Sequence, residues 1–226
     1  MMVVRSILIA CAGLALVAGC GGGSAPRADG NGPVLVAALG DSITAGSPAW
    51  DPDPGIRARL GDSADPESEF EYWADLNLRG AARFRNCGVF GQRTDEIAAR
   101  LDACARGARV LLLQGGINDI AQRRPVERAA QDLRAMVRRG KALGLDVLLV
   151  DVLPWNNGGR RAAREIVRLN GMIAAIGRDE HVRVLGFNAA LADPRDPARM
   201  RADLTSDGDH PSVAGYRRLG RLVVLP

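Results

Sequence analysis

Aromatic side chains are scarce in this chain of 226 residues, with Phe, Trp and Tyr together making up 4%. That scarcity argues against the stacking platforms that hold single-stranded nucleic acid and against a carbohydrate-binding strip of aromatic rings. Charge of one sign is lacking too. The net charge is +4, and Arg5 is the only charged residue of 1–19, so +3 remains beyond that segment. The excess is mostly Arg scattered along the chain, too weak and too dispersed for DNA or RNA as partner. No apolar run reaches the ~20 residues that a membrane-spanning helix needs. The sequence has no Walker-type or strand-linked dinucleotide glycine motif, no HExxH, and no Cys and His cluster for zinc, so no cofactor and no metal is called for. With two His in the whole chain, His181 and His210, any imidazole chemistry has few places to reside.

What is present is the material of one large α/β domain: a hydrophobic content of 47% over a length that does not require two domains. The first residues read as a leader. Met1 to Gly19 has a short n-region with Arg5, an apolar stretch from Ile7 to Val17, and small residues after it. The ending Val17-Ala18-Gly19-Cys20 resembles a bacterial lipobox, which implies cleavage before Cys20 and lipidation of its thiol; an ordinary secretory signal is the alternative. Gly21 to Pro33, rich in Gly and without apolar anchors, then reads as a tether that hangs the domain (34–226) off a membrane of the cell envelope. Of four cysteines, Cys11 leaves with the leader and Cys20 takes the lipid, which leaves Cys87 and Cys104. Export permits a disulfide. A continuous helix starting near Thr94 would separate the two by ~15 Å over ten residues, beyond disulfide reach unless the chain bends back.

Strand-like and helix-like segments alternate after the tether. Val34 to Leu39, Ala82 to Asn86, Arg109 to Gln114, Asp146 to Leu153 and Val182 to Phe187 are short and apolar with little alternation, as strands covered on both faces are. Helical patterns fill the gaps at Glu69 to Arg79, Thr94 to Ala105, Pro125 to Leu143 and Arg160 to Arg178. In the third, Val126, Ala129, Ala130, Leu133, Met136 and Val137 form one apolar stripe among Arg and Glu. Repeated βαβ units predict a doubly wound, mostly parallel five-stranded sheet with helices on both faces, flavodoxin-like in class. Two Pro/Gly/Asp-rich stretches, Ser47 to Ser68 and Asp193 to Asp209, read as long loops.

The chemistry concentrates where strands end. The run Val34-Leu-Val-Ala-Ala-Leu39 stops on Gly40-Asp41-Ser42, a tight turn at the C-terminal edge of a sheet, where α/β proteins place their active groups. Alone, Ser42 could simply N-cap a helix. Three more stretches lie near the same edge: Asn86 to Thr94 after the second strand, Gly115 to Asp119 after the third, and Asp207 to Pro211 ahead of the last helix. In that order and spacing they resemble the four motif blocks of the SGNH (GDSL-type) hydrolase family, from about Val34 to the C-terminus. A second Gly-Asp-Ser, Gly61 to Ser63, has no apolar strand before it and lacks that context.

A serine hydroxyl needs a base, and imidazole suits the task near neutrality. His181 opens an apolar strand and reads as structural, whereas His210 lies in a Gly/Asp loop with Asp207 three residues earlier, a spacing that lets a carboxylate orient the ring. Asp209 is the rival acid. The resemblance implies an oxyanion hole made of the Ser42 N–H, the Gly91 N–H and the Asn118 side-chain amide, with Gly88 as the competing glycine. Gly at 91 is expected to permit close backbone approach. Asp41 and Asp119 are expected to buttress turns. The implied activity is that of an exported, lipid-anchored serine ester hydrolase acting on small-molecule or glycan esters through an acyl-serine, with short acyl esters, acetylated sugars or lipid esters as candidates. An envelope acyltransferase using the same residues and an inactive binding lipoprotein on the same fold are the alternatives.

Overall fold

A computed structural model describes residues 32–226; the leader, Cys20 and most of the tether lie outside the described residues. Within them the chain runs β1 (Val34–Gly40), α1 (Ser42–Ala45), α2 (Pro54–Leu60), α3 (Phe70–Leu78), β2 (Ala82–Gly88), α4 (Thr94–Ala98), α5 (Leu101–Cys104), β3 (Val110–Leu113), α6 (Ile117–Ala121), α7 (Val126–Ala142), β4 (Asp146–Val150), α8 (Gly159–Glu180), β5 (Arg183–Leu185), α9 (Phe187–Leu191), β6 (Ala192–Asp193), β7 (Asp196–Met200) and α10 (Val213–Gly220). Five strands form one sheet in the order β2-β1-β3-β4-β5, every pair parallel. The predicted fold class holds, and the order is that of the flavodoxin-like doubly wound sheet.

Why the strands show so little alternation is plain from their neighbours. Ala37 and Leu39 of β1, with Leu111 and Leu113 of β3, face a core layer closed by Ile97, Leu133, Val137, Leu169 and Ile173. Val36, Ala38, Val110 and Leu112 face the other way, against Ile43, Phe70, Phe187 and Tyr216. Both faces are dry, so both parities must be apolar. Fully burying each such Leu, Ile or Phe contributes roughly 1.5–3 kcal/mol.

The chain reverses winding direction at β1, which pairs with β2 on one side and β3 on the other. At such a switch point the loops beyond the strand ends splay apart and leave a crevice. The segments after β1, β2 and β3 carry Ser42, Gly91 and Asn118.

Four expectations are corrected. The stretch Thr94 to Ala105 is two short helices. Between them Arg100 turns back to donate to the carbonyls of Cys87 (2.7 Å) and Gly40 (3.1 Å). That bend brings Cys104 to Cys87, and the two form a disulfide with Cα atoms 6.2 Å apart. The ~15 Å argument fails because it assumed one straight helix. The stretch Ser47 to Ser68 holds α2, whose Asp53 caps the N–H groups of Gly55 (2.7 Å) and Ile56 (3.0 Å) ahead of Pro54 at the helix start. That Asp-Pro pair is a legible helix signature. The stretch Asp193 to Asp209 holds the β6–β7 hairpin, where the amide of Asn156 accepts from the Met200 N–H (2.6 Å) in place of a strand neighbour.

Candidate active site

Asp41, not Ser42, caps the turn after β1: its Oδ1 accepts from the Ile43 N–H at 3.0 Å. Ser42 is therefore the first residue of α1. Its N–H is one of the amides a helix start leaves unpaired. The backbone under it is held by Gln114, which ends β3's apolar run and whose Oε1 accepts from the Asp41 N–H (3.1 Å) and the Thr44 hydroxyl (2.9 Å). Burial pushes the Asp41 carboxyl up to about 6, partly offset by the bonds from Ile43 and Gln114.

Asp207 to Pro211 forms a turn closed on itself. The Ser206 N–H (3.0 Å) and the Thr205 hydroxyl (2.8 Å) both donate to the His210 carbonyl. Asp207 Oδ1 accepts from the backbone N–H groups of Asp209 (2.8 Å) and His210 (2.7 Å), while Oδ2 lies 2.8 Å from His210 Nδ1. His210 Nε2 lies 3.1 Å from Ser42 Oγ, across 168 residues of sequence. Burial alone would raise the Asp207 carboxyl, but the bonds from the His210 ring and the two backbone amides prevail and hold it below the ordinary carboxylate range. A hydroxyl, an imidazole and a carboxylate in that sequence of contacts can move a proton from Ser42 and stabilise the imidazolium that results.

The rival acid is engaged elsewhere. Asp209 Oδ1 accepts from Trp155 Nε1 (2.6 Å) and Asn157 Nδ2 (2.7 Å). His181 caps the C-terminus of α8 ahead of β5, at the end of the sheet opposite Ser42. Ser63 sits exposed in a single turn of 3-10 helix.

The two glycines of the second block have different duties. A Cβ at Gly88 would lie 2.1 Å from the Ala45 N, so Gly88 is where α1 crosses β2. A Cβ at Gly91 would meet no protein atom within 4 Å; its φ of 76° is what demands glycine, a different reason from the close approach expected. The turn around Gly91 is pinned. Val89 N–H donates to the Gly40 carbonyl (3.1 Å), Gln122 Nε2 to the Gly91 carbonyl (3.0 Å), and Asn118 Nδ2 to the Gln92 carbonyl (3.1 Å). One amide hydrogen of Asn118 remains for another acceptor. Among the described residues neither the Ser42 nor the Gly91 N–H has an acceptor.

Asp119 is fully buried and accepts from the Thr94 N–H and hydroxyl, both at 3.0 Å, and from Arg124 at 2.5 Å. It thereby ties α6, which carries Asn118, to the start of α4. Sequence reasoning missed Arg100, Gln114, Arg124 and Trp155. The first and third are lost among many Arg, whereas Gln114, a lone amide closing four buried aliphatics, was a legible signal. No group of three or more His, Cys, Asp or Glu suited to a metal ion occurs among the described residues.

Solved structures resemble the fold of this chain. A protein assigned to the G-D-S-L family from Desulfitobacterium hafniense DCB-2 superposes with a TM-score of 0.69 at 20% identity, covering 84% of this chain and 97% of that one. A GDSL-like lipase from Bacteroides thetaiotaomicron VPI-5482 gives 0.64 at 18%, with 83% and 84% covered. Axe2, an acetylxylan esterase from Geobacillus stearothermophilus, gives 0.66 at 20%, with 87% and 94% covered. A search of curated proteins finds no match. The profile of the GDSL-like Lipase/Acylhydrolase family matches residues 38–218, the span that holds Ser42, Gly91, Asn118, Asp207 and His210. The chain belongs to the GDSL-like lipase/acylhydrolase family, and it is an ester hydrolase.

Proposed function

We propose that Ser42 is the nucleophile of an exported serine esterase, with His210 as its base and Asp207 as the group that orients the base. The observation that carries this reading is the pair of contacts on one imidazole: Nε2 to Ser42 Oγ at 3.1 Å and Nδ1 to Asp207 at 2.8 Å. The bond to Asp207 leaves the proton on Nδ1 and the lone pair on Nε2, facing the hydroxyl. As Ser42 Oγ bonds to the acyl carbon, its proton passes to Nε2. The carbonyl oxygen becomes an oxyanion, and the N–H groups of Ser42 and Gly91 and the free amide hydrogen of Asn118 are its donors. Each such donor, preorganised, lowers the barrier by ~3–4 kcal/mol. His210 then gives the proton to the departing alcohol, leaving an acyl-serine. Water then bonds to the acyl carbon as Nε2 takes its proton, and the acyl–Oγ bond breaks as that proton returns to Ser42 Oγ, releasing the acid. The chain's own groups suffice for every step.

The substrate class we assign is small-molecule or glycan esters with short acyl groups, the kind of substrate named for the acetylxylan esterase of similar fold. For the region before the domain we propose lipidation at Cys20 and anchoring to an envelope membrane, supported by Val17-Ala18-Gly19-Cys20 and the Gly-rich stretch after it. The disulfide between Cys87 and Cys104 is in keeping with an oxidising compartment. Intact mass of the membrane-fraction protein tests this: a chain starting at a diacylated Cys20 is expected, and an unlipidated soluble chain refutes it.

For the activity, a panel of chromogenic esters of increasing acyl length, with acetylated sugars alongside, is assayed with wild type and Ser42→Ala. Short acyl esters should turn over with wild type alone. A fluorophosphonate ester should label Ser42; a label mapped to Ser63, or none on folded protein, overturns the assignment.

A further inference from the structure

Phe90 is the one aromatic ring among the strongly exposed hydrophobic residues described, 64% exposed, and it lies beside the catalytic imidazole. Its ring and that of His210 are stacked with centroids 6.2 Å apart and planes inclined by 29°. An exposed ring on a mobile loop would mean little. This one sits at the tip of a four-residue turn, Val89 to Gln92, closed by the Gln92 N–H to Val89 carbonyl contact (3.4 Å) and by the positive φ of Gly91. The turn is anchored through Gly40, Gln122, Asn118 and Arg100. Beneath it the disulfide fixes the end of β2. Phe90 belongs to neither core cluster, so core packing does not account for its place beside His210.

The side of the site that Phe90 flanks follows from the chemistry of the proposed esterase, on which this inference rests. His210 Nε2 must deliver its proton to the leaving oxygen, so the alcohol half of the ester departs past the imidazole. The acyl carbon stays on Ser42 Oγ, with its oxygen toward Asn118 and Gly91. A ring stacked beside the imidazole therefore borders the alcohol. We propose that Phe90 is a specificity-determining residue that favours esters whose alcohol half is a ring with an apolar face, either an aryl group or the C–H face of a pyranose. One ring offers one stacking position, which suits a single cyclic unit and is consistent with the lack of an aromatic strip.

The test compares wild type, Phe90→Ala and Phe90→Tyr on ethyl acetate, phenyl acetate and a monoacetylated methyl pyranoside, and on phenyl acetate, butyrate and octanoate. Intrinsic leaving-group reactivity cancels when each ester is scored as the ratio of wild type to variant. At the tip of an exposed turn, the substitution leaves the fold intact. Phe90→Ala should lower kcat/KM about tenfold for one or both cyclic alcohols, mainly through KM, with ethyl acetate changed less than twofold. The phenyl and pyranoside arms show which ring is preferred, and Phe90→Tyr should restore most of the loss. A ratio that grows with acyl length places the ring on the acyl side and overturns the inference. Equal loss on all three acetates, with a displaced pH profile, assigns Phe90 to supporting His210 and overturns it too. If wild type hydrolyses the esters and Ser42→Ala does not, the esterase reading stands whatever Phe90 does; if wild type hydrolyses none, both fall.

Discussion

The indole Nε1 of Trp155 donates to Asp209 Oδ1 at 2.6 Å, and that bond engages the acid that stands as the rival of Asp207 in the sequence. With Asp209 engaged by Trp155 and Asn157, the carboxylate facing His210 Nδ1 is Asp207. Asp207→Asn should lower kcat by ~10²- to 10⁴-fold, because an amide favours the wrong tautomer and cannot stabilise imidazolium. Asp209→Asn should stay within about tenfold of wild type, since a side-chain oxygen remains for the indole. Steady-state kinetics on a short acyl ester decides it, and the reverse ranking would remove Asp207 from its role.

Ser42 and His210 act as one unit in the proposed mechanism. Ser42→Ala, His210→Ala and the double variant should therefore lose similar activity instead of multiplying their losses. Asn118→Ala leaves the nucleophile and base in place but deletes a donor to the oxyanion. Its kcat should fall ~10²- to 10³-fold with KM little changed. A large rise in KM with kcat preserved would instead make Asn118 a substrate-binding group.

The Cys87–Cys104 bridge closes a segment with a sequence separation of 17. A loop of that length is worth about 3 kcal/mol through the unfolded state. The Cys87→Ser/Cys104→Ser double variant should melt roughly 6–12 °C lower, taking ~2–4 °C per kcal/mol for a domain of this size. Titration of the denatured domain, beginning after Cys20, should find no free thiol when the protein is made in an oxidising compartment. Two thiols per chain and an unchanged Tm would contradict the bridge.

Stability should also carry a signature of Asp41, whose carboxyl is raised from 3.8 to about 6 by burial. A group raised on folding contributes fully below its unfolded value and loses that contribution as pH climbs through the folded one. Between pH 5 and 7, then, Asp41 makes the domain less stable as pH rises. Asp207, held low, has the opposite sign but titrates below this window. Asp41→Asn stays uncharged and keeps an oxygen for the Ile43 N–H, so its Tm should fall less than that of wild type over the same interval. Parallel melting curves for the two proteins across that range would dismiss a raised Asp41.

By itself the sequence determined the centre of the sheet, because the short runs of β1, β3 and β4 are apolar in both parities and have no stable place except between two helical layers, whereas β2, with Arg83, Arg85 and Asn86, is a half-exposed edge. It also determined which residue types stand at the strand ends, since Gly-Asp-Ser after an apolar run and Asp-x-x-His before a helix are local patterns. The Asp53-Pro54 start of α2 was a local signal too, but for the helix break and the disulfide the deciding interaction was distant. Nothing between Thr94 and Ala105 announces a break at Ala99–Arg100, because the partners that draw Arg100 inward are the carbonyls of Gly40 and Cys87 on two other strands. The disulfide followed from that bend. Spacing already favoured Asp207 over Asp209; what the sequence did not show is that Trp155, more than fifty residues earlier, engages Asp209. The contact of His210 with Ser42 needed the parallel sheet to bring positions 168 residues apart within 3.1 Å. Periodicity and turn chemistry act over a few residues and are written in the chain; partners fixed by packing exist only once the layers have closed.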